Sequence, residues 1–258
     1  MKDFTLKTFT TLLSEFKKAG YEFQTFEEFL LNPGLKSIIL RHDVDRLAAN
    51  SLAIAKIEME FEIKGSFYFR IGKESNQPDI IRQIRNMGHE IGYHYEDLTL
   101  SKGNFEEAYQ LFLGHLNYFR QFYPVRTICM HGSPLSKWDS RNIWKEYDYK
   151  TIGLIGEPYF DINFSQVLYL TDTGRRWDGS NVSIRDKELK NGSDFLSGQY
   201  SFHSTGEIIR ALQVKRLPDQ LMMTFHPQRW SDNIFDWTQE YILQNLKNQL
   251  KRALIKNK

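Results

Sequence analysis

From residue 37 onward, short apolar runs of strand type alternate with longer stretches of helical spacing. That alternation restricts the fold more than any other feature, because it specifies βαβ units and a mainly parallel sheet. Strands are expected over 37–40, 65–70, 89–94, 126–131, 150–156, 167–171 and 221–227. Helices are expected over 48–63, 78–88, 104–123, 141–147 and 204–212, and from Trp237 to the end. Ahead of them lies an amphipathic helix carrying Phe4, Leu6, Phe9, Leu12, Leu13 and Phe16, closed by Gly20, and a short helix over 26–31 stopped by Asn32-Pro33-Gly34. Residues 172–204, rich in Gly, Ser, Asn and Asp, are expected to be mostly loop. The fold class is therefore α/β, a distorted (β/α) barrel of about seven parallel strands with an N-terminal helical extension. No repeat or linker divides the chain. One domain over 1–258 is expected, with an extension at 1–36, a barrel core at 37–230 and a C-terminal helix at 231–258.

Charge and cysteine content narrow the function classes. Lys plus Arg is 34 and Asp plus Glu is 32, a net charge of +2, which argues against a nucleic-acid binder acting by phosphate neutralisation. The single cysteine, Cys129, permits no intrachain disulfide and fits a reducing compartment. No run approaches the roughly 18 apolar residues of a membrane span. The first residues, MKDFTLKTFTTLLSEFKKAG, lack the apolar core and cleavage site of a signal peptide, so a cytoplasmic location is expected. The basic QNLKNQLKRALIKNK end reads as a solvated helix terminus, where cations offset the macrodipole.

The functional signal lies at the strand ends. Asp43 and Asp45 occur in RHDVD, His94 in GYH, His131 in CMH and His226 in TFH. In α/β barrels, the carboxyl ends of strands are where chemistry collects. Strand alternation puts Asp43 and Asp45 on one face and His42 on the other, and two adjacent carboxylates repel unless a proton or metal intervenes. The competing structural explanation is that Asp45 caps the following helix, which leaves Asp43 unexplained. Glu90, Gly92, His94 and Glu96 share a face if the extended conformation continues, whereas His89 is expected to be a packed histidine. His115 falls inside a helix and is given no chemistry. His131 begins an HGSP turn, and turn stabilisation competes with ligation there. Cys129 is expected to be a buried apolar filler. The loop TDTGRRWDG brings Asp172, Arg175, Arg176 and Trp177 together, either as a surface for an anionic sugar or as a loop held by its own ion pairs.

In the order IILRHDVDR, GSFYFR, GHEIGYHYEDL, MHGSP, TDTGRRWDG and TFHPQRW, the chain resembles the polysaccharide deacetylase superfamily. This is the NodB-homology fold of carbohydrate esterase family four, here in a divergent, WbmS-like branch associated with bacterial surface polysaccharides. The resemblance spans about residues 37–230, and the leader GYEFQTFEEFL matches that branch as well. It implies a divalent metal, taken as zinc, and hydrolysis of an acetyl group on a sugar. It implies Asp43 as the base, Asp45 as the nearest candidate metal ligand, His94 as the first motif histidine and His226 as the proton donor. The departures are Val44 between the aspartates and Leu98 where the family has a second histidine. His131 or Glu96 can supply the third ligand. His131 is preferred, because it ends a strand and imidazole suits zinc. Asp172, Arg175 and Trp177 are expected to bind the substrate, an acidic or a nucleotide- or lipid-linked amino sugar. The rival readings are a non-catalytic sugar-binding barrel, motivated by Leu98, and a D-x-D phosphatase, disfavoured by Leu47 and by the lack of a clear later lysine with paired acids.

Overall fold

The computed structural model describes residues 2–133, 136–177 and 200–256, with side chains described as far as residue 249. Helix α1 (Leu6–Lys18) starts where the Thr5 side chain accepts the Thr8 N–H, ends on Lys17 and Lys18, and buries Phe9, Leu12, Leu13 and Phe16. Gly20 then takes φ of +79°, a left-handed conformation glycine adopts without penalty. Strand β1 (Glu22–Gln24) and helix α2 (Phe26–Leu31) follow, and Thr25 and Glu28 close a reciprocal capping box on α2. The chain then alternates as expected: β2 (Ser37–Val44), α3 (Ala48–Glu60), β3 (Ser66–Phe69), α4 (Pro78–Asn86), β4 (Glu90–Tyr95), α5 (Asp97–Leu100), α6 (Phe105–Arg120) and β5 (Ile128–Met130). Helix α7 (Pro158–Asp161), β6 (Leu168–Thr171), α8 (Thr205–Gln213), β7 (Gln220–Phe225) and α9 (Ile234–Lys256) complete it.

The strands form one curled, seven-stranded parallel sheet in the order β5-β4-β3-β2-β7-β6, a half-barrel. Strand β2 is its axis. One edge of β2 carries β1 along its first half, Glu22 beside Ser37, and β3 along its second half, Arg41 beside Ser66. Its other edge carries β7. The N-terminal segment is therefore part of the sheet rather than only a helical extension. Three residues are too few for alternation to announce a strand.

Two further elements differ from expectation. Residues 150–156 form no strand; a 3-10 helix, Tyr149–Ile152, starts on the Asp148 side chain, and Gly153 at φ +79° turns the chain away. Only a parallel bridge from Thr127 to Gly156 remains of the pairing. The helix expected over 141–147 is a 3-10 turn, Ser140–Lys145, capped by Asp139. Residues 178–199 of the expected long loop lie outside the described residues.

Alternation along each strand sorts the core into two layers. Ile38, Leu40, Phe67, Phe69, Ile91, Tyr93, Leu221 and Met223 point outward into the main core under the helices. Ile39, Tyr68, Cys129 and Met222 point inward, where Phe26 and Phe29 of α2 pack against them. The backbone N–H groups of Phe26 and Glu27, at the start of α2, donate to Ser66 Oγ (2.8 Å) and Glu90 Oε2 (3.2 Å) of the neighbouring strands. One end of the inner face is thus closed by a helix. The carboxyl ends of the strands are left for polar side chains.

Candidate metal centre

The inward positions of β2 read Ile39, Arg41, Asp43, with Asp45 just beyond the strand. Asp43 is buried, 4% exposed, and Arg41 grips both of its oxygens, Nε to Oδ1 at 2.9 Å and Nη2 to Oδ2 at 2.7 Å. Burial alone would raise the Asp43 carboxyl. The Arg41 guanidinium, then His94, outweigh it and hold it down at about 2. Burial likewise opposes ionisation of Asp45. The imidazoles of His131, His94 and His226 overcome it and hold that carboxyl well below its ordinary range.

Asp45 Oδ1 lies 3.5 Å from His94 Nε2 and 3.4 Å from His131 Nε2, yet it is buried and accepts no hydrogen bond. Both imidazoles are fixed from behind. His94 Nδ1 donates to the Cys129 carbonyl at 2.9 Å, an interaction set by the register of β4 on β5. His131 Nδ1 faces Glu96 Oε2 at 2.9 Å and Ser133 Oγ at 3.0 Å. With Nδ1 of each ring engaged, the Nε2 atoms face Asp45: protonated, they hold its carboxyl down, and deprotonated, each offers a lone pair to a cation. Arg70 in turn holds Glu96 through Nε at 2.8 Å. Burial pushes the Glu96 carboxyl up, but hydrogen bonding to His131 and the Arg70 charge bring it down to about 2. Glu96 therefore stands behind His131, turned toward Nδ1 rather than toward the mouth.

These three groups fit a cation. Four-coordinate zinc with bonds of about 2.0–2.1 Å puts neighbouring ligand atoms about 3.3–3.4 Å apart. The Asp45-to-imidazole separations match that spacing. A buried carboxylate oxygen without a donor, facing imidazole nitrogens whose protons are engaged elsewhere, is otherwise a costly arrangement. Nδ1–H bonded to a carboxylate or carbonyl is also the usual support of a metal-ligating histidine. Asp45 does not cap α3: the N-cap is Leu47, at φ +52° and with no side-chain cap bond.

His226 approaches from β7. Its Nε2 is 3.9 Å from Asp45 Oδ2, and its Nδ1 is 2.6 Å from Asp172 Oδ1. Asp172 also accepts the His226 backbone N–H at 2.9 Å, Trp230 Nε1 at 2.8 Å and Arg229 Nη1. Burial opposes its charge; Arg229 and His226 outweigh it and lower the carboxyl. An ionised Asp172 accepts only, so His226 Nδ1 carries a proton and Nε2 turns to the site.

The structure thus brings Asp43, Asp45, His94, His131 and His226 together. Of the expected substrate-binding loop it brings Asp172 alone into contact with them, through His226. Asp172 has no exposed surface and serves as the support of His226. Trp177, 3% exposed, donates to Thr205 Oγ1 at 2.9 Å and packs on Phe225, so it belongs to the core. Arg175, also buried, stacks on Phe4 and Trp237 and donates to the Arg229 carbonyl. Those assignments are corrected for one reason: polar composition suggested a surface, while partners distant in the chain bury it.

His89 is packed as expected, bonded to the Gly65 N–H and the Ala55 carbonyl. His115, in α6, pairs with the buried Asp97 at 2.7 Å. Cys129 is buried beside Asp43, with Sγ 4.0 Å from Oδ1, and burial pushes its thiol well up. Leu98 packs with Ala108 and Ile143. Arg41, Arg70 and Gln228, which donates to Asp45 Oδ2 at 3.1 Å, were missed by the sequence reading. The RxD spacing on an inward-facing strand is the one signal that could have found Arg41.

No family model matches the chain, and no curated protein matches it. Solved structures show a distant likeness. The Xyl-CE4 domain of a multidomain xylanase from the hindgut metagenome of Trinervitermes trinervoides has a TM-score of 0.41 at 13% identity, covering 84% of this chain and 85% of that one. PdaA of Bacillus subtilis, a family 4 carbohydrate esterase, has a TM-score of 0.39 at 13% identity, covering 93% of this chain and 84% of that one.

Proposed function

We propose that this chain is a metal-dependent hydrolase that removes an acyl group, N-acetyl foremost, from a sugar. The observation that carries the reading is the buried, donor-less Asp45 Oδ1 set between His94 Nε2 and His131 Nε2. Asp45, His94 and His131 would hold the ion, and two imidazoles with one carboxylate suit zinc. When bound, such an ion supplies Lewis acidity toward an acyl oxygen and lowers the pKa of water.

The rest falls to the protein's own groups. Asp43, ionised and aimed by Arg41, is positioned to accept a proton from an attacking water. His226 Nε2 is positioned to give a proton to the departing sugar nitrogen or oxygen, while Asp172 keeps Nδ1 occupied. The motif order supports a place in bacterial surface-polysaccharide metabolism, with a nucleotide- or lipid-linked amino sugar as substrate.

The test is Asp43→Asn and His94→Ala in purified protein, with metal content measured and acetate release followed from such amino sugars. Asp43→Asn should retain metal and lose turnover, and His94→Ala should lose both. Turnover unchanged in both variants would end the proposal.

A further inference from the structure

Gln228 is a buried amide, 6% exposed, in the 3-10 turn Pro227–Arg229 directly after His226. Its Nε2 donates to Asp45 Oδ2 at 3.1 Å. Its Oε1, buried as well, has no partner among the described residues. Leaving that oxygen unsatisfied is costly, and an apolar side chain of similar length would fill the same space without it. The amide cannot be turned over, because Oε1 would then face a carboxylate oxygen, acceptor against acceptor. The turn that carries it is fixed. The Arg229 N–H donates to the His226 carbonyl at 2.9 Å, and Arg229 Nη1 and Trp230 Nε1 both donate to Asp172.

The two oxygens of Asp45 are therefore not equivalent. Oδ1 sits between His94 Nε2 and His131 Nε2 with no donor, whereas Oδ2 is held by the Gln228 amide. His226 Nε2, also beside Oδ2, stays 3.9 Å away, because Asp172 takes both the His226 backbone N–H and Nδ1. An oxygen already held by an N–H is the poorer ligand, and the carboxylate cannot swing to offer both oxygens without breaking that bond. The difference bears on which ion suits the site. Zinc is content with four ligands and one carboxylate oxygen. Calcium and manganese favour six or more, oxygen-rich, and calcium takes carboxylates through both oxygens.

We infer that Gln228 is a positioning residue that holds Asp45 to ligation through one oxygen, and so sets a preference for a four-coordinate ion over manganese or calcium. This rests on the metal centre proposed above. The experiment uses the full chain and the variant Gln228→Met, which keeps the length of the side chain and removes the donor. Zinc is titrated in competition with manganese, and visible spectra are taken with cobalt bound. The cobalt bands of the parent should have the high intensity of four-coordination. In Gln228→Met they should weaken as Oδ2 joins the ion, and the zinc-over-manganese affinity ratio should fall about tenfold. Gln228→Ala should shift both readings the same way, with near-ultraviolet circular dichroism showing that each variant is folded. A role limited to filling space would leave the bands of Gln228→Met as they are in the parent. Bands and ratio unchanged in metal-loaded Gln228→Met would overturn the inference, as would weak bands in the parent. A parent that binds none of the three ions would overturn the metal centre as well, so the two failures are told apart by whether metal is bound at all.

Discussion

Arg41 and Asp43 project from the same face of β2, and the guanidinium holds both carboxylate oxygens inside the sheet's concavity, at 2.9 and 2.7 Å. Neither group reaches bulk water, Arg41 being 2% and Asp43 4% exposed. Removing one partner leaves the other as an uncompensated buried charge. Arg41→Met should therefore cost about 3–5 kcal/mol in urea unfolding. Adding Asp43→Leu should recover much of that loss, because the pair's own desolvation cost goes with it. A single variant as stable as the parent would mean that water, not Arg41, satisfies Asp43.

Glu157 provides a pH dependence of opposite sign to the depressed carboxylates. It has no exposed surface, and burial raises its carboxyl to about 7 despite N–H donors from Met130 and Tyr159. The folded state thus holds a proton that the unfolded state releases near its ordinary value of 4.5. Stability should be full below that value and should fall as pH rises toward about 7, by on the order of 3 kcal/mol, then level off. Denaturant midpoints across the window measure the slope. Glu157→Gln should flatten it, and an unchanged slope in that variant would assign it to another group.

The strand-end acids and imidazoles were legible because strand alternation is local: Asp43, His94, His131 and His226 each end or follow an apolar run whose period fixes the face they take. What the sequence hid was non-local. Arg41 looks like an interruption of β2 until the sheet curls and its inward face becomes an interior. Glu96 competes with His131 for ligation on paper, but Arg70, just past the end of β3, turns it toward Nδ1. Trp177 and Asp172 read as loop surface because Thr205, Arg229 and Trp230, which bury them, come later in the chain. Residues 150–156 carry a strand-like composition, but Gly153 and the Asp148 cap turn them into a 3-10 helix.

Glu96 orients His131 without facing the site, so its loss should weaken the metal rather than delete a ligand. Under the proposed metal site, Glu96→Ala is expected to lower divalent-metal affinity about 10–100-fold in a competition titration, with stoichiometry kept. Glu96→Gln, which retains an acceptor, should recover part of it. Equal affinity in all three proteins would leave Ser133 Oγ, 3.0 Å from the same nitrogen, as the support that matters.

Gly92 sits two residues before His94, where β4 meets the ring of Tyr68. A methyl group placed there would lie 2.3 Å from Tyr68 Cε1 and 3.0 Å from the Thr127 carbonyl. The ring is held by its hydroxyl on Thr127 Oγ1 at 2.9 Å and cannot swing away freely. Gly92→Ala should destabilise by about 1–3 kcal/mol through overpacking, and should weaken metal binding by shifting His94. Combining it with Tyr68→Ala should give a sub-additive loss; additive losses would show that the backbone carbonyl is the obstacle.

Asp172 concentrates four donors on one buried carboxylate: the His226 backbone N–H, His226 Nδ1, Trp230 Nε1 and Arg229 Nη1. Asn in its place keeps one acceptor oxygen and turns an amide donor toward groups that already donate. Under the proposed reaction, Asp172→Asn should lower kcat by about 10²–10⁴-fold with KM little changed, because His226 loses its orientation and tautomer. A purely structural role would lower stability and leave the turnover of the folded fraction intact. The measurement is therefore kcat per folded molecule, with near-ultraviolet circular dichroism reporting the folded fraction. Turnover per folded molecule unchanged in Asp172→Asn would remove the Asp172–His226 contact from the reaction.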